Sequence, residues 1–241
     1  MRNLILFGLL VILLLAAQFA STKTVDEVID KYIRARGGKN RLAAVKSIYM
    51  EGIKEKMGKE MTVKFIKEQD KLSRTEIIAD DESGIVVVTD KEAWTFFPLR
   101  NPSAEKIPNI DLAALQTELD IAGPLVDYAA KGNKTELLGK ETVEGTNCYK
   151  IMLTTNSGKE MMYWLDAGTY LLVQSSVSLV GGVKATTLTR YRDYKEVDGV
   201  QFPHTLETRM IGADSENSGS EINFHTIQIN PAIDPVMYEP Q

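Results

Sequence analysis

The sequence predicts an α+β domain dominated by antiparallel sheet. Three features predict it: a capped amphipathic helix near the start, two long stretches of period-two alternation, and a segment of helical spacing between them, from Pro108 to Gly132.

The helix comes first. Thr24-Val25-Asp26-Glu27 has the form of a capping box, with Thr24 as N-cap and Glu27 three residues on. Val25, Val28, Ile29, Tyr32 and Ile33 then fall on one stripe, and Gly37-Gly38 stops the helix. Asn40 to Val45 reads as one or two further helical turns. From Ser47 to Ile107 the period changes to two. Met61, Val63 and Phe65 alternate with polar residues, and Gly58, Asp70, Asp80-Asp81 and Gly84 mark turns, so five or six short strands follow one another as antiparallel neighbours. Within this half, Ile85 to Val88, the turn at Asp90-Lys91 and Ala93 to Phe97 form a hairpin ended by Pro98, which has no amide proton to donate. Trp94 and Phe96 share one face of its second arm.

Between Pro108 and Gly132 the pattern is helical. Leu112, Leu115 and Leu119 recur on one face after a cap at Asp111, and a second helix from Gly123-Pro124 carries Leu125, Val126 and Tyr128. The second strand-rich half runs from Thr135 to Gln228. Turns are expected at Asn156-Ser157-Gly158, Asp166-Ala167-Gly168, Gly181-Gly182 and Asp198-Gly199. Leu171, Val173, Ser175, Val177 and Leu179 are predicted to share one face, opposite Gln174, Ser176 and Ser178. The tail after Asn230, with three prolines, is expected to be extended and only locally held.

Ahead of the helix, Met1-Arg2-Asn3 is a short cationic start to an apolar run from Leu4 to Ala17. A run of about 14 residues is short for a bilayer span, so residues 1–20 read as a signal peptide, leaving one domain over 21–241 in the periplasm. Gln18 stands where cleavage after Ala20 favours a small residue, so an uncleaved anchor is the alternative. The 241 residues are 44% hydrophobic and 25% charged, with a net charge of -5. That is a globular composition, and no basic run exists to neutralise phosphates, which excludes a nucleic-acid partner. Cys148 is the only cysteine, so no intramolecular disulfide can form, and it reads as a small buried apolar residue. His204 and His225 lie outside any metal-ligand spacing, and no nucleophile elbow, phosphate loop or dinucleotide fingerprint is present. No enzyme activity, cofactor or metal is expected.

What remains is apolar. A curved sheet with aromatic, Met and branched side chains on its hollow side leaves space to be filled, by helices in a dry core or by a flexible aliphatic ligand. The cavity reading assigns its lining to Met61, Phe65, Trp94, Phe96, Met161, Tyr163, Leu171 and Val173. It assigns the lid to Leu112, Leu115, Leu119, Leu125 and Tyr128.

Asp90-Lys91-Glu92-Ala93-Trp94-Thr95-Phe96-Phe97-Pro98, Tyr163-Trp164-Leu165-Asp166, and Asp193-Tyr194-Lys195 through Asp198-Gly199-Val200 to Phe202-Pro203-His204 resemble the LolA/LolB superfamily, especially its outer-membrane lipoprotein-sorting proteins. The resemblance covers most of the chain after residue 24. It implies an incomplete antiparallel β-barrel with an N-terminal helix and a mid-chain helical lid, whose cavity shields the acyl chains of a lipoprotein or lipid on the way to the outer membrane. An inner-membrane release complex and an outer-membrane acceptor are the candidate partners it implies, for a carrier expected to be a monomer. Glu68-Gln69 stand where those carriers have Arg-Pro, so their lid latch does not carry over. The alternative is a non-catalytic envelope binding or scaffold protein with the same fold and a filled core.

Overall fold

The computed structural model describes residues 23–80, 83–108, 112, 115–178, 185–212 and 219–240. The apolar run and its cleavage site, the cap at Asp111, Leu179 and the turn at Gly181-Gly182 lie outside the described residues. No described helix is long and apolar enough to cross a membrane.

Helix α1 (Val25–Ala35) has the expected capping box, with the Thr24 side chain accepting from the Glu27 amide and the Glu27 carboxylate from the Thr24 amide. The short α2 (Lys39–Ala44) follows. Thirteen strands come next among the described residues: β1 (Ser47–Lys56), β2 (Lys59–Glu68), β3 (Leu72–Ile78), β4 (Gly84–Thr89), β5 (Ala93–Phe96), β6 (Glu105–Lys106), β7 (Lys134–Val143), β8 (Thr146–Thr154), β9 (Glu160–Asp166), β10 (Leu172–Ser178), β11 (Thr186–Val197), β12 (Val200–Ile211) and β13 (Ser220–Ile229). They form one open antiparallel sheet in the order β6-β5-β4-β3-β2-β1-β13-β12-β11-β10-β9-β8-β7. Each half is a meander of neighbouring hairpins, and the halves meet where β1 pairs with β13. At that seam Gly52 sits on a bulge, and a Cβ there would stand 2.4 Å from the Asn223 carbonyl oxygen.

The sheet bends around α1. In the strand order β1 and β7 stand seven spacings apart, about 34 Å if the sheet were flat, at about 4.8 Å each. Yet Ile48 of β1 and Leu137 of β7 pack in one cluster with Val28, Ile29 and Tyr32 of a single helix. Only a curved sheet closes that distance. The concave face carries this cluster, and α1 is its plug.

The register settles which residues share that face. Ile48, Met50 and Gly52 of β1 stand opposite Lys67, Phe65 and Val63 of β2, and Phe65 opposite Thr75. Continuing through β3, Val86 and Val88 of β4 and Ala93 of β5 face the same way. Tyr49, Ile66, Arg74, Val87 and Trp94 face the convex side.

Two expectations are corrected here. The residues from Ile121 to Gly132 form a string of turns rather than a helix, because Asp127 adopts a left-handed backbone (φ 53°) and breaks the spiral. Before it, Leu112 and Leu115 are helical as expected, and the 3-10 turn Gln116–Leu119 follows. The tail is not loosely held: a second 3-10 turn, Pro235–Tyr238, lies on the convex face with Ile233, Met237 and Tyr238 against Ile66, Leu72 and Val87.

Candidate functional site

The concave face divides into three apolar clusters. Under α1, Val28, Ile29, Ile151, Leu153 and Leu165 are almost fully buried. At the other end, Leu119 packs on Val88 and Ala93, with Leu112, Leu115 and Ile107 beside it. Between them lies a floor of Val63, Ile222 and Phe224, edged by Met50, Phe65, Leu206 and Ile227, all from β1, β2, β12 and β13. Among the described residues, no helix side chain joins that middle cluster. Phe65 meets Phe224 edge to face, with ring centroids 5.7 Å apart at 66°.

The segment from Leu115 to Asn133 crosses this face from one end cluster to the other. Its beginning is tied to the edges of β2, β3 and β4. The Gln116 amide donates to the carbonyls of Thr89 and Asp90, Lys67 pairs with Glu118 at 3.2 Å, and the Asp70 amide donates to the Leu119 carbonyl at 3.1 Å. The Ile121 amide donates to Gln69 Oε1 at 2.9 Å. Gln69, in the place where the resemblance expects an Arg-Pro latch, is thus itself a tether. The far half is tied to the helices, through Arg36 to the Ala122 carbonyl (3.2 Å), Lys39 to Asp127 (2.6 Å) and Tyr128 to Asp26.

Polar groups ring the hollow side. Lys67 holds the Glu118 carboxylate below the usual range. Burial pushes the Tyr191 phenol up to about 12, and its oxygen lies 2.9 Å from that of Ser175. Burial also raises the Tyr163 phenol, whose hydroxyl donates to the Met161 sulfur at 3.4 Å. These hydroxyls stay neutral at physiological pH and offer hydrogen bonds without charge. Among the described residues no group of three His, Cys, Asp or Glu could hold a metal ion.

The eight residues assigned to a cavity lining divide between the two faces. Met61 and Phe65 stand on the concave face by the middle floor, and Met161 and Tyr163 stand on the same face beside the α1 cluster. Trp94 and Phe96 do not join them: they stand opposite Val87 and Ile85 on the convex face, where Lys106 lies over the Trp94 ring. Val173 is also turned away, packing with Cys148 and Trp164. A bulge between Leu172 and Gln174 shifts the alternation there, so Leu172 enters the core and Leu171 is left in the turn, its carbonyl accepting from the Asp166 amide. The proposed lid residues likewise divide. Leu112, Leu115 and Leu119 pack at the β4–β5 end, and Leu125 and Tyr128 pack with α1.

Sequence reasoning missed Leu206, Ile222, Phe224 and Ile227. Their signal is the alternation in Ser220-Glu221-Ile222-Asn223-Phe224, which marks a two-faced strand without saying that β13 lies at the centre of the sheet.

Residues 125–241 match a family model described as an uncharacterized protein. No curated protein matches the chain. Among solved structures, a DUF1329 family protein from Desulfovibrio piger is similar at a TM-score of 0.62 and 15% identity, over 90% of this chain and 98% of that one. A LolA superfamily protein from Nitrosomonas europaea is similar at 0.58 and 12%, over 90% and 98%. A putative outer membrane lipoprotein-sorting protein domain from Vibrio parahaemolyticus is similar at 0.50 and 13%, over 88% and 95%. An open antiparallel sheet wrapped around a leading helix, matched along nine-tenths of its length by these structures, gives this chain the LolA-like fold.

Proposed function

We propose that the chain is a non-catalytic carrier that binds the acyl chains of lipoproteins or lipids on its concave face and moves them toward the outer membrane. The observation that carries this reading is the middle floor: a buried apolar cluster built from strand residues alone, with Val63, Ile222 and Phe224 at 2, 8 and 5% exposure, between two clusters that other segments join. The likeness to the Vibrio lipoprotein-sorting domain supports the same class of cargo. In this reading residues 1–20 direct export, the carrier works as a monomer in the periplasm, and an inner-membrane release complex and an outer-membrane acceptor stand at the two ends of its path.

Burying an acyl chain of about 16 carbons contributes on the order of 12 kcal/mol at roughly 0.8 kcal/mol per methylene. A site that gained all of this would not release. The crossing segment and Leu112 before it supply the counterweight, since Leu112, Leu115 and Leu119 already cover Val88 and Ala93 beside the floor, and where an acyl chain replaces them only the difference between protein and ligand contacts drives binding.

Binding of a fluorescent fatty-acyl probe tests the proposal. Phe65→Asp charges the floor and Leu115→Asp the crossing segment, and both are half-buried positions. Each is expected to abolish binding in a protein that still folds. Unchanged affinity in Phe65→Asp refutes the floor as the site, and unchanged affinity in Leu115→Asp removes the segment from the mechanism.

A further inference from the structure

A second feature stands apart from the concave floor, at the start of α1. Tyr149 of β8 and Tyr170, in the turn before β10, stack at 5.8 Å between centroids and 16° between planes. Three lysines gather on this pair. Lys23 Nζ lies 5.2 Å from the Tyr149 ring and 5.0 Å from the Tyr170 ring, Lys31 Nζ lies 5.0 Å from Tyr170, and Lys140 Nζ lies 4.9 Å from Tyr149. Lys23 donates to the Tyr170 hydroxyl, and Lys31 does so at 3.4 Å.

Among the described residues no carboxylate pairs with these charges. Among the described residues, none of the three lysines makes an ion pair. Of the acids nearest in sequence, Asp26 is engaged by Tyr128, Glu27 by the Thr24 amide and Glu141 by Lys150, while Asp30, next to Lys31, is exposed and forms no ion pair with it. Three ammonium groups around one ring pair repel one another, and each carries three N–H donors, of which the Tyr170 hydroxyl uses one from Lys23 and one from Lys31. The ring faces relieve part of the repulsion, and an oxyanion with several acceptor oxygens relieves the rest. The Tyr170 phenol already registers the local field, lowered to about 8, first by its hydrogen bond from Lys23.

The geometry points to an oxyanion site: we propose that Lys23, Lys31 and Lys140, spaced by the Tyr149–Tyr170 pair, bind a phosphate group, presented by a phospholipid headgroup or free in solution. Tyr149 and Tyr170 are positioning residues, with the Tyr170 hydroxyl as an added hydrogen-bond partner. The site is separate from Phe65 and Phe224, so it stands or falls independently of acyl binding.

Calorimetry on the full chain in neutral detergent tests it, with three titrants: inorganic phosphate, micelles carrying phosphatidylglycerol, and micelles carrying phosphatidylcholine. Preference for phosphatidylglycerol over both others assigns the headgroup, and equal binding of phosphate and phosphatidylglycerol assigns a general phosphate site. Lys23→Ala/Lys31→Ala/Lys140→Ala is expected to lower the affinity on the order of a hundredfold. The triple Arg variant is expected to retain binding, which separates lost charge from lost fold. The proposal is overturned if the Ala variant binds as the native chain does, if Lys56→Ala/Lys64→Ala/Lys91→Ala loses as much, or if neither phosphate nor phosphatidylglycerol binds.

Discussion

Gln69 shows how one side chain can take over a role that its neighbours in sequence do not advertise. Its Oε1 accepts from the Ile121 amide, its Nε2 donates to Asp70, and the Asp70 amide in turn holds the Leu119 carbonyl. The turn after β2 therefore fixes two consecutive points of the crossing segment. Gln69→Ala removes an acceptor from a half-buried amide, which costs about 1 kcal/mol in a urea melt. In acyl-probe kinetics the Ala variant is expected to exchange ligand faster than the native chain. The sequence showed that Arg-Pro was missing here, but not that a glutamine could bond to a segment some fifty residues away, because a side-chain to backbone bond leaves no periodic trace. Trp94 and Phe96 failed for a related reason. Alternation separates two faces of a strand, yet it does not say which face is hollow, and here both are apolar.

At the scale of elements, α1 and the strands of both halves were legible because each carries its own period, cap or turn. The crossing segment and the tail were not, since tertiary contacts decide their shape. The tail shows how strong such contacts are. Arg74, only 4% exposed, donates to the carbonyls of Met237 and Glu239 and pairs with Glu76 at 2.6 Å, while Tyr238 donates to Glu68 at 2.6 Å. A cavity of about 260 Å³ lies between the tail and the convex face, lined by Tyr49, Ile66, Ile233 and Met237 among others. Ending the chain at Asn230 uncovers Ile66, Leu72 and Val87 and removes two of the acceptors of a buried guanidinium. The expected loss is roughly 3–5 kcal/mol of unfolding free energy, read from the shift of a urea transition. A transition left in place by that truncation would show that the tail only rests on the sheet.

For the whole molecule, the two halves of the sheet share a style and are joined twice, by 107–133 between their outer edges and by the seam of β1 against β13. Those two strands lie at opposite ends of the domain's sequence, with Ile48 opposite Ile229 and Lys54 opposite Ile222. Sheet class and meandering order could be read from local pattern, whereas this pairing depends on contacts across almost the full length and had no local signature. A chain ended after residue 212 lacks β13, so β1 and β12 both become edges and the middle floor loses Ile222 and Phe224. Such a chain is expected to show no cooperative urea transition, and a native-like transition would refute the seam as the centre of stability.

The placement of β13 also sets a timetable. A chain delivered from its N-terminus holds β1 to β12 before the strand that joins the two halves has arrived, so the concave floor can be assembled only when synthesis or delivery is nearly finished. Until then β1 and β12 lack the strand that lies between them, and the bowl has neither Ile222 nor Phe224.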